Sequence, residues 1–175
     1  MKNLVKKKVV SLKQSATLVI NERCKELTAQ GKKIYNFGFG QSPFPVPKKI
    51  VDTLIQNAHK KEYLPIQGLP KLRESISKYL IKKIGLNYPK ENIIITPGSK
   101  EAMLLMHVAF KGEIILPAPS WVSYEPQAQI GSNKVNWIQT KRENNWFPTG
   151  KELEKKIKFI GKKKNIILIL NSPNN

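Results

Sequence analysis

The sequence predicts an α/β protein: a mainly parallel sheet flanked by helices, preceded by an N-terminal helical segment. Three observations lead there. Short apolar runs recur at Ile93–Thr96, Glu113–Leu116, Val135–Gln139 and Ile166–Leu170. Segments with helical spacing of apolar residues lie between them. The runs are continuous instead of alternating, as in strands covered on both faces. Strand–helix alternation of this kind selects a parallel sheet with right-handed crossovers.

Each element has its own local reason. Ser15–Gln30 reads as a helix with Leu18, Cys24 and Leu27 on its apolar side and Gly31 as its stop. Ile34–Phe39 is short and extended or strand-like. Gly38–Pro47 holds two of the glycines and three prolines, so it is a rigid loop. Pro47 suits the first position of a helix carrying Ile50, Val51, Leu54, Ile55 and Ala58 at 3.6-residue spacing. Tyr63–Gly68 is a second Pro/Gly loop. Leu69, Leu72, Ile76, Leu80 and Ile84 mark another amphipathic helix, closed near Gly85. Beyond the strand at Ile93–Thr96, Lys100–Phe110 is a helix. Pro117-Ala118-Pro119 ends the second strand, and Trp121–Ile130 is helix-like up to Gly131. Thr149-x-x-Glu152 is a capping box opening a helix with Leu153, Ile157 and Ile160 on its buried face. Ile166–Leu170 reads as a fully buried strand.

Composition bounds the function. The chain has 175 residues, 40% of them hydrophobic, which is a globular composition for one domain or one domain with an appendage. One cysteine, Cys24, excludes a disulfide framework and a Cys-rich zinc site, and it reads as a core residue. No apolar run approaches the roughly 18–20 residues of a membrane span, so no membrane partner is expected. The basic start lacks the apolar region of a secretory signal, and a cytoplasmic location is expected. The 31 basic and 12 acidic residues leave a charge of +19. That invites a nucleic-acid reading, but only three of the basic residues are Arg, the usual reader of bases and phosphates. Twenty Ile and 14 Asn against seven Ala point instead to AT-rich coding and solvated helix faces. No specific nucleic acid is expected, and a weak, salt-sensitive attraction to polyanions is.

Chemistry belongs beyond the carboxyl ends of the strands. Pro97-Gly98-Ser99-Lys100 follows the first strand and opens a helix, where backbone amides bind anions and phosphate in particular; the same pattern also makes an ordinary turn. Trp121, beyond the second strand, can stack on a planar cofactor or cover the sheet edge. Asn171-Ser172-Pro173-Asn174-Asn175, beyond the fourth, can hold a cofactor oxygen or make Asx turns. Gly38-Phe39-Gly40 can present bare backbone to a carboxylate or form a bend. His59 reads as surface and His107 as partly buried. No nucleophile triad, paired carboxylates or metal spacing stands out.

In this order the pieces resemble the class I/II aminotransferases, fold-type I enzymes that depend on pyridoxal 5'-phosphate, and within them the aspartate and aromatic branch. The markers are Gly38-Phe39-Gly40 with Phe44-Pro45-x-Pro47, and Tyr63-x-x-x-x-Gly68-x-x-x-Leu72-Arg73-Glu74. Then come Gly98-Ser99-Lys100-Glu101-Ala102, Pro117-x-Pro119-x-Trp121-x-x-Tyr124, and the final Asn171–Asn175. The resemblance implies roles by position. Gly98, Ser99 and Lys100 form the phosphate loop, and Trp121 stacks on the pyridine ring. Asn175 bonds the phenolic oxygen. Tyr63 reaches the phosphate from the neighbouring subunit of a homodimer, and Gly40 lies by the substrate carboxylate. Residues 1–45 would be arm and substrate-side loop, and 46–175 the N-terminal part of an incomplete cofactor-binding domain.

The resemblance also implies what lies further on: the Schiff-base lysine, the aspartate at the pyridine nitrogen and the arginine for the substrate carboxylate. No lysine of this sequence sits in that context, Lys100 included, so no catalytic residue is assigned. The complete enzyme would move an amino group between an amino acid, acidic or aromatic, and a 2-oxo acid. The 175 residues alone are expected to be inactive and poorly stable. Only Ile114–Leu116 and Val135–Gln139 are expected as sheet neighbours, the first and fourth strands lacking partners. Two alternatives remain: a non-catalytic fragment that pairs with a full-length relative, and a basic nucleic-acid binder.

Overall fold

The computed structural model describes residues 4–12, 14–38, 40, 42–161 and 163–173. Two units contain them: Met1–Gly38 with Gly98–Asn175, and Phe39–Pro97.

The first unit holds the sheet. Its strands β1 (Glu113–Ala118), β2 (Lys134–Gln139) and β3 (Ile166–Leu168) are parallel, in the order β2-β1-β3. Glu113 stands opposite both Lys134 and Ile166, so all three strands start at one level. Side chains alternate across β1. Ile114 and Leu116 pack with Tyr124 and Ala128 on one face, and Ile115 packs with Ile138 and Ile160 on the other. The helices follow that division. α5 (Ser99–Ala109) and α6 (Tyr124–Ile130) cover the first face, through Met103, Tyr124 and Ala128; α7 (Gly150–Ile160) covers the second, through Leu153, Ile157 and Ile160. The two crossovers move in opposite directions with their helices on opposite faces, as a constant crossover hand requires. The N-terminal helices α1 (Lys7–Val10) and α2 (Ala16–Ala29) precede this layer, with Ser15 and Gln30 bounding α2.

The second unit contains α3 (Lys48–Asn57) and α4 (Pro70–Ile84). Pro47 is the N-cap of α3, one place earlier than expected, and Gly85 closes α4 in the left-handed conformation. Arg73 explains part of its motif structurally. Its guanidinium is buried and donates to the carbonyls of Gly68 (3.3 Å) and Lys90 (2.9 Å), joining the loop before α4 to the turn after it.

Several expectations need correction. Ile93–Thr96 is no strand. No ladder partner stands beside it among the described residues, and Ile95 N–H donates to the Gln67 carbonyl instead (2.9 Å). Pro117 does not end β1, because a parallel strand can pair through its carbonyl; it stands opposite Ile138. β3 does pair with β1, contrary to the expectation that only the second and third runs are neighbours. As an edge strand it is half-buried, not fully buried. Trp121 lies ahead of α6, not inside it. Cys24 is partly exposed. Residues 34–37 form no strand.

His107 is fully buried, more than its sequence suggests, and neither ring nitrogen makes a hydrogen bond. Burial pushes its imidazole below the usual value; the facing Asn133 opposes this only in part. The unfolded chain therefore takes up a proton more readily than the folded one. The stability this neutral ring permits is complete above the unfolded value near 6.5 and declines as pH falls below it. Replacing His107 with Leu should abolish that decline between about pH 7 and 5, read from amide protection of residues 114–116 corrected for intrinsic exchange. An unchanged decline would place its cause elsewhere.

Candidate functional site

Helix α5 starts on an unusual residue. Gly98 takes φ 86° and ψ 163°, a combination that glycine adopts without strain and other residues do not. It turns the chain so that the amides of the first turn open the helix without a side-chain cap. Such a turn carries the positive end of the helix dipole. A Cβ at Gly98 would meet no atom within 4 Å, so the approach is open.

Lys100 adds a cation. Its Nζ lies 5.0 Å from the centroid of the Trp121 ring. Its carbonyl accepts a hydrogen bond from Gln127 Nε2 at 2.8 Å, which ties the start of α5 to α6. Tyr124 meets Trp121 edge-on, with centroids 5.3 Å apart and planes at 80°. Burial pushes the Tyr124 phenol up, so it stays neutral. Trp121 also packs against the cluster of Ile114 and Leu116, so it serves the core whatever else it touches.

A cleft of about 470 Å³ opens at the carboxyl ends of β1 and β3. The expected motifs supply Pro117, Pro119, Ser120, Asn171 and Ser172 to its wall. Lys100 and Trp121 do not line it. Asn145, Trp146 and Phe147 do, and sequence reasoning missed them. Asn145 and Trp146 both have positive φ, at 51° and 59°. The available signal was position: they follow β2, at the end of the sheet where ligands bind.

The other expected residues are placed as follows. Tyr63 is fully exposed, in the loop between α3 and α4 of the second unit. Gly40, in the same unit, has open space where a Cβ would point. Asn174, Asn175 and Phe39 lie outside the described residues. Among the described residues no three His, Cys, Asp or Glu side chains are grouped to hold a metal, and no helix is long and apolar enough to cross a membrane.

An α/β sheet with an uncapped, glycine-led helix start beside an aromatic ring belongs to a class suited to phosphorylated ligands. The chain belongs to the aminotransferase class I and II family, whose model matches residues 32–175. It is 33% identical to aspartate aminotransferase of Geobacillus stearothermophilus over 97% of this chain and 43% of that protein. It is 31% identical to asparagine–oxo-acid transaminase of Streptococcus mutans, over 97% and 44%. The structure superposes on aspartate aminotransferase from Thermus thermophilus with maleate at TM-score 0.87 and 27% identity, covering 98% of this chain and 45% of the other. The chain thus spans less than half the length of the relatives it matches.

The family works with pyridoxal 5'-phosphate. The donor set fits two of its parts. The uncapped turn and the Lys100 ammonium suit the phosphate, and the Trp121 ring suits a planar heterocycle.

Proposed function

We propose that this chain is the cofactor-phosphate-binding part of a pyridoxal phosphate-dependent aminotransferase that moves an amino group between an amino acid and a 2-oxo acid. The open start of α5, with Lys100 over Trp121, carries the reading. Bound pyridoxal phosphate supplies an electron sink for the substrate's α-carbon. Gly98 lets the backbone come close, the amides of Ser99 and Lys100 and the Ser99 hydroxyl hold the phosphate, and the Lys100 ammonium neutralises it. Trp121 orients the ring. Asn175, Tyr63 of a partner subunit and Gly40 complete the site by family position. The names of the relatives favour acidic or amide-bearing substrates; aromatic ones fit the same branch. No lysine of this sequence matches the family's Schiff-base position, so the 175-residue polypeptide alone should not turn over.

Pyridoxamine 5'-phosphate is the suitable probe, because it lacks the aldehyde that reacts with lysines at large. It should quench tryptophan fluorescence saturably, and inorganic phosphate should compete. Trp121→Ala should weaken binding by about tenfold, consistent with about 1 kcal/mol or more for one aromatic contact. Equal affinity for unphosphorylated pyridoxamine would sink the reading. A second reading, a non-catalytic chain that pairs with a full-length relative, is favoured by the exposed apolar face of α3. Co-purification of the two chains tests it.

A further inference from the structure

The opposite end of the sheet carries a different surface. Because the three parallel strands start at one level, the segments that lead into them deliver their side chains to one place. Lys111 precedes β1, Lys134 begins β2, and Lys163 and Lys164 precede β3. With Glu113 and Asn165 they line a shallow, open depression. All four lysines are exposed.

Glu113 offsets only one of these four charges. Its buried carboxylate accepts from Lys164 Nζ on one oxygen and from Asn136 Nδ2 (2.8 Å) on the other. The Lys164 hydrogen bond, and then that of Asn136, holds it below the usual carboxylate range, so it is ionised and spoken for. Asn165 braces the same edge, donating to the Lys111 carbonyl at 3.2 Å. Lys111, Lys134 and Lys163 have no ion-pair partner among the described residues. Four lysines set against one carboxylate thus leave a net charge of +3 around one depression at the sheet edge.

The geometry points to a binding site for a compact polyphosphate, such as the phosphate chain of a nucleotide, at the amino ends of the strands. Lysine binds phosphate as a point charge and needs no fixed fork geometry. No aromatic or arginine side chain lines the hollow, so it offers nothing to stack on bases or read their edges. That favours a small polyanion over a nucleic acid. The site is separate from the α5 turn, which belongs to the cofactor reading, and it does not depend on that reading.

The test is titration of the full chain with inorganic tripolyphosphate, followed by phosphorus NMR line broadening and calorimetry. Lys134→Ala/Lys163→Ala removes two exposed charges from the hollow. Lys60→Ala/Lys61→Ala removes two exposed charges from the other unit and serves as the charge-matched control. Saturable binding is expected, at least tenfold weaker in the first variant, unchanged within twofold in the second, and not displaced by pyridoxamine 5'-phosphate. Equal losses in both variants would mean diffuse attraction to a chain of +19 and overturn the site. So would the absence of saturable binding. Loss of affinity for a short single-stranded RNA without loss for tripolyphosphate would overturn it in favour of a nucleic-acid surface.

Discussion

Purified as the 175-residue polypeptide, the protein is expected to bind a hydrophobic dye strongly and to unfold over a broad range instead of in one sharp step. The exposed area gives the reason. Many large apolar side chains lie uncovered among the described residues. Tyr63 and Ile66 are essentially uncovered, and Ile50, Leu54 and Ile55 lie exposed along one side of α3, Leu54 at 70%. Surfaces of this kind mark places where other protein is meant to pack. β2 and β3 each have a free edge among the described residues, which adds a route to self-association. What remains folded should be local. Slow amide exchange is expected at residues 114–116, where both faces of β1 are covered, and fast exchange through α3. A monomer that ignores the dye and melts sharply would refute this.

How far the fold was legible depended on where each signal resides. α4 and α7 follow from local chemistry. Apolar spacing and Gly85 bound the first. In the second, Thr149 N–H donates to Glu152 Oε2 (2.8 Å) and Glu152 N–H donates to Thr149 Oγ1 (3.3 Å), as the spacing predicts. Residues 93–96 show the limit. Their β-branched side chains favour an extended chain, but a strand is made by its partner, and the partner is not local information. β3 shows the same limit in burial: its apolar run states what it could bury, not whether anything covers its outer edge. The apolar side of α3 was readable; what packs on it was not. At the site, Gly98 was legible because its backbone conformation demands glycine. Asn145–Phe147 was not, because the positive φ of Asn145 and Trp146 follows no short motif. The basic hollow was invisible for a further reason. Only the common starting level of three strands brings Lys111, Lys134 and Lys163 together.

Gly98→Val is expected to abolish most phosphate affinity at the start of α5 while leaving the sheet intact. The two halves of that statement rest on different observations. No atom lies within 4 Å of where a Cβ would stand, so a β-carbon there points into open space. The difficulty is in the backbone itself: at φ 86° and ψ 163° a β-branched residue is strained by about 1–3 kcal/mol. The chain relieves this by changing the residue's dihedral angles, and those angles aim the first amides of α5. Converted at about 1.4 kcal/mol per tenfold, the strain corresponds to a loss of roughly tenfold to a hundredfold in affinity for pyridoxamine 5'-phosphate. Ser99→Ala, which removes one hydroxyl and leaves the backbone in place, should cost less, about tenfold at most. Gly131→Ala supplies the contrast. There a Cβ would stand 2.4 Å from the backbone oxygen of His107. That clash forces α5 and α6 apart and should strip amide protection from residues 114–116 as well as binding. Binding and protection measured side by side on the three variants separate the roles. If Gly98→Val binds as the parent does, the phosphate does not sit on the amides of α5. If it loses protection as Gly131→Ala does, Gly98 is a folding residue and its conformation has no bearing on the ligand.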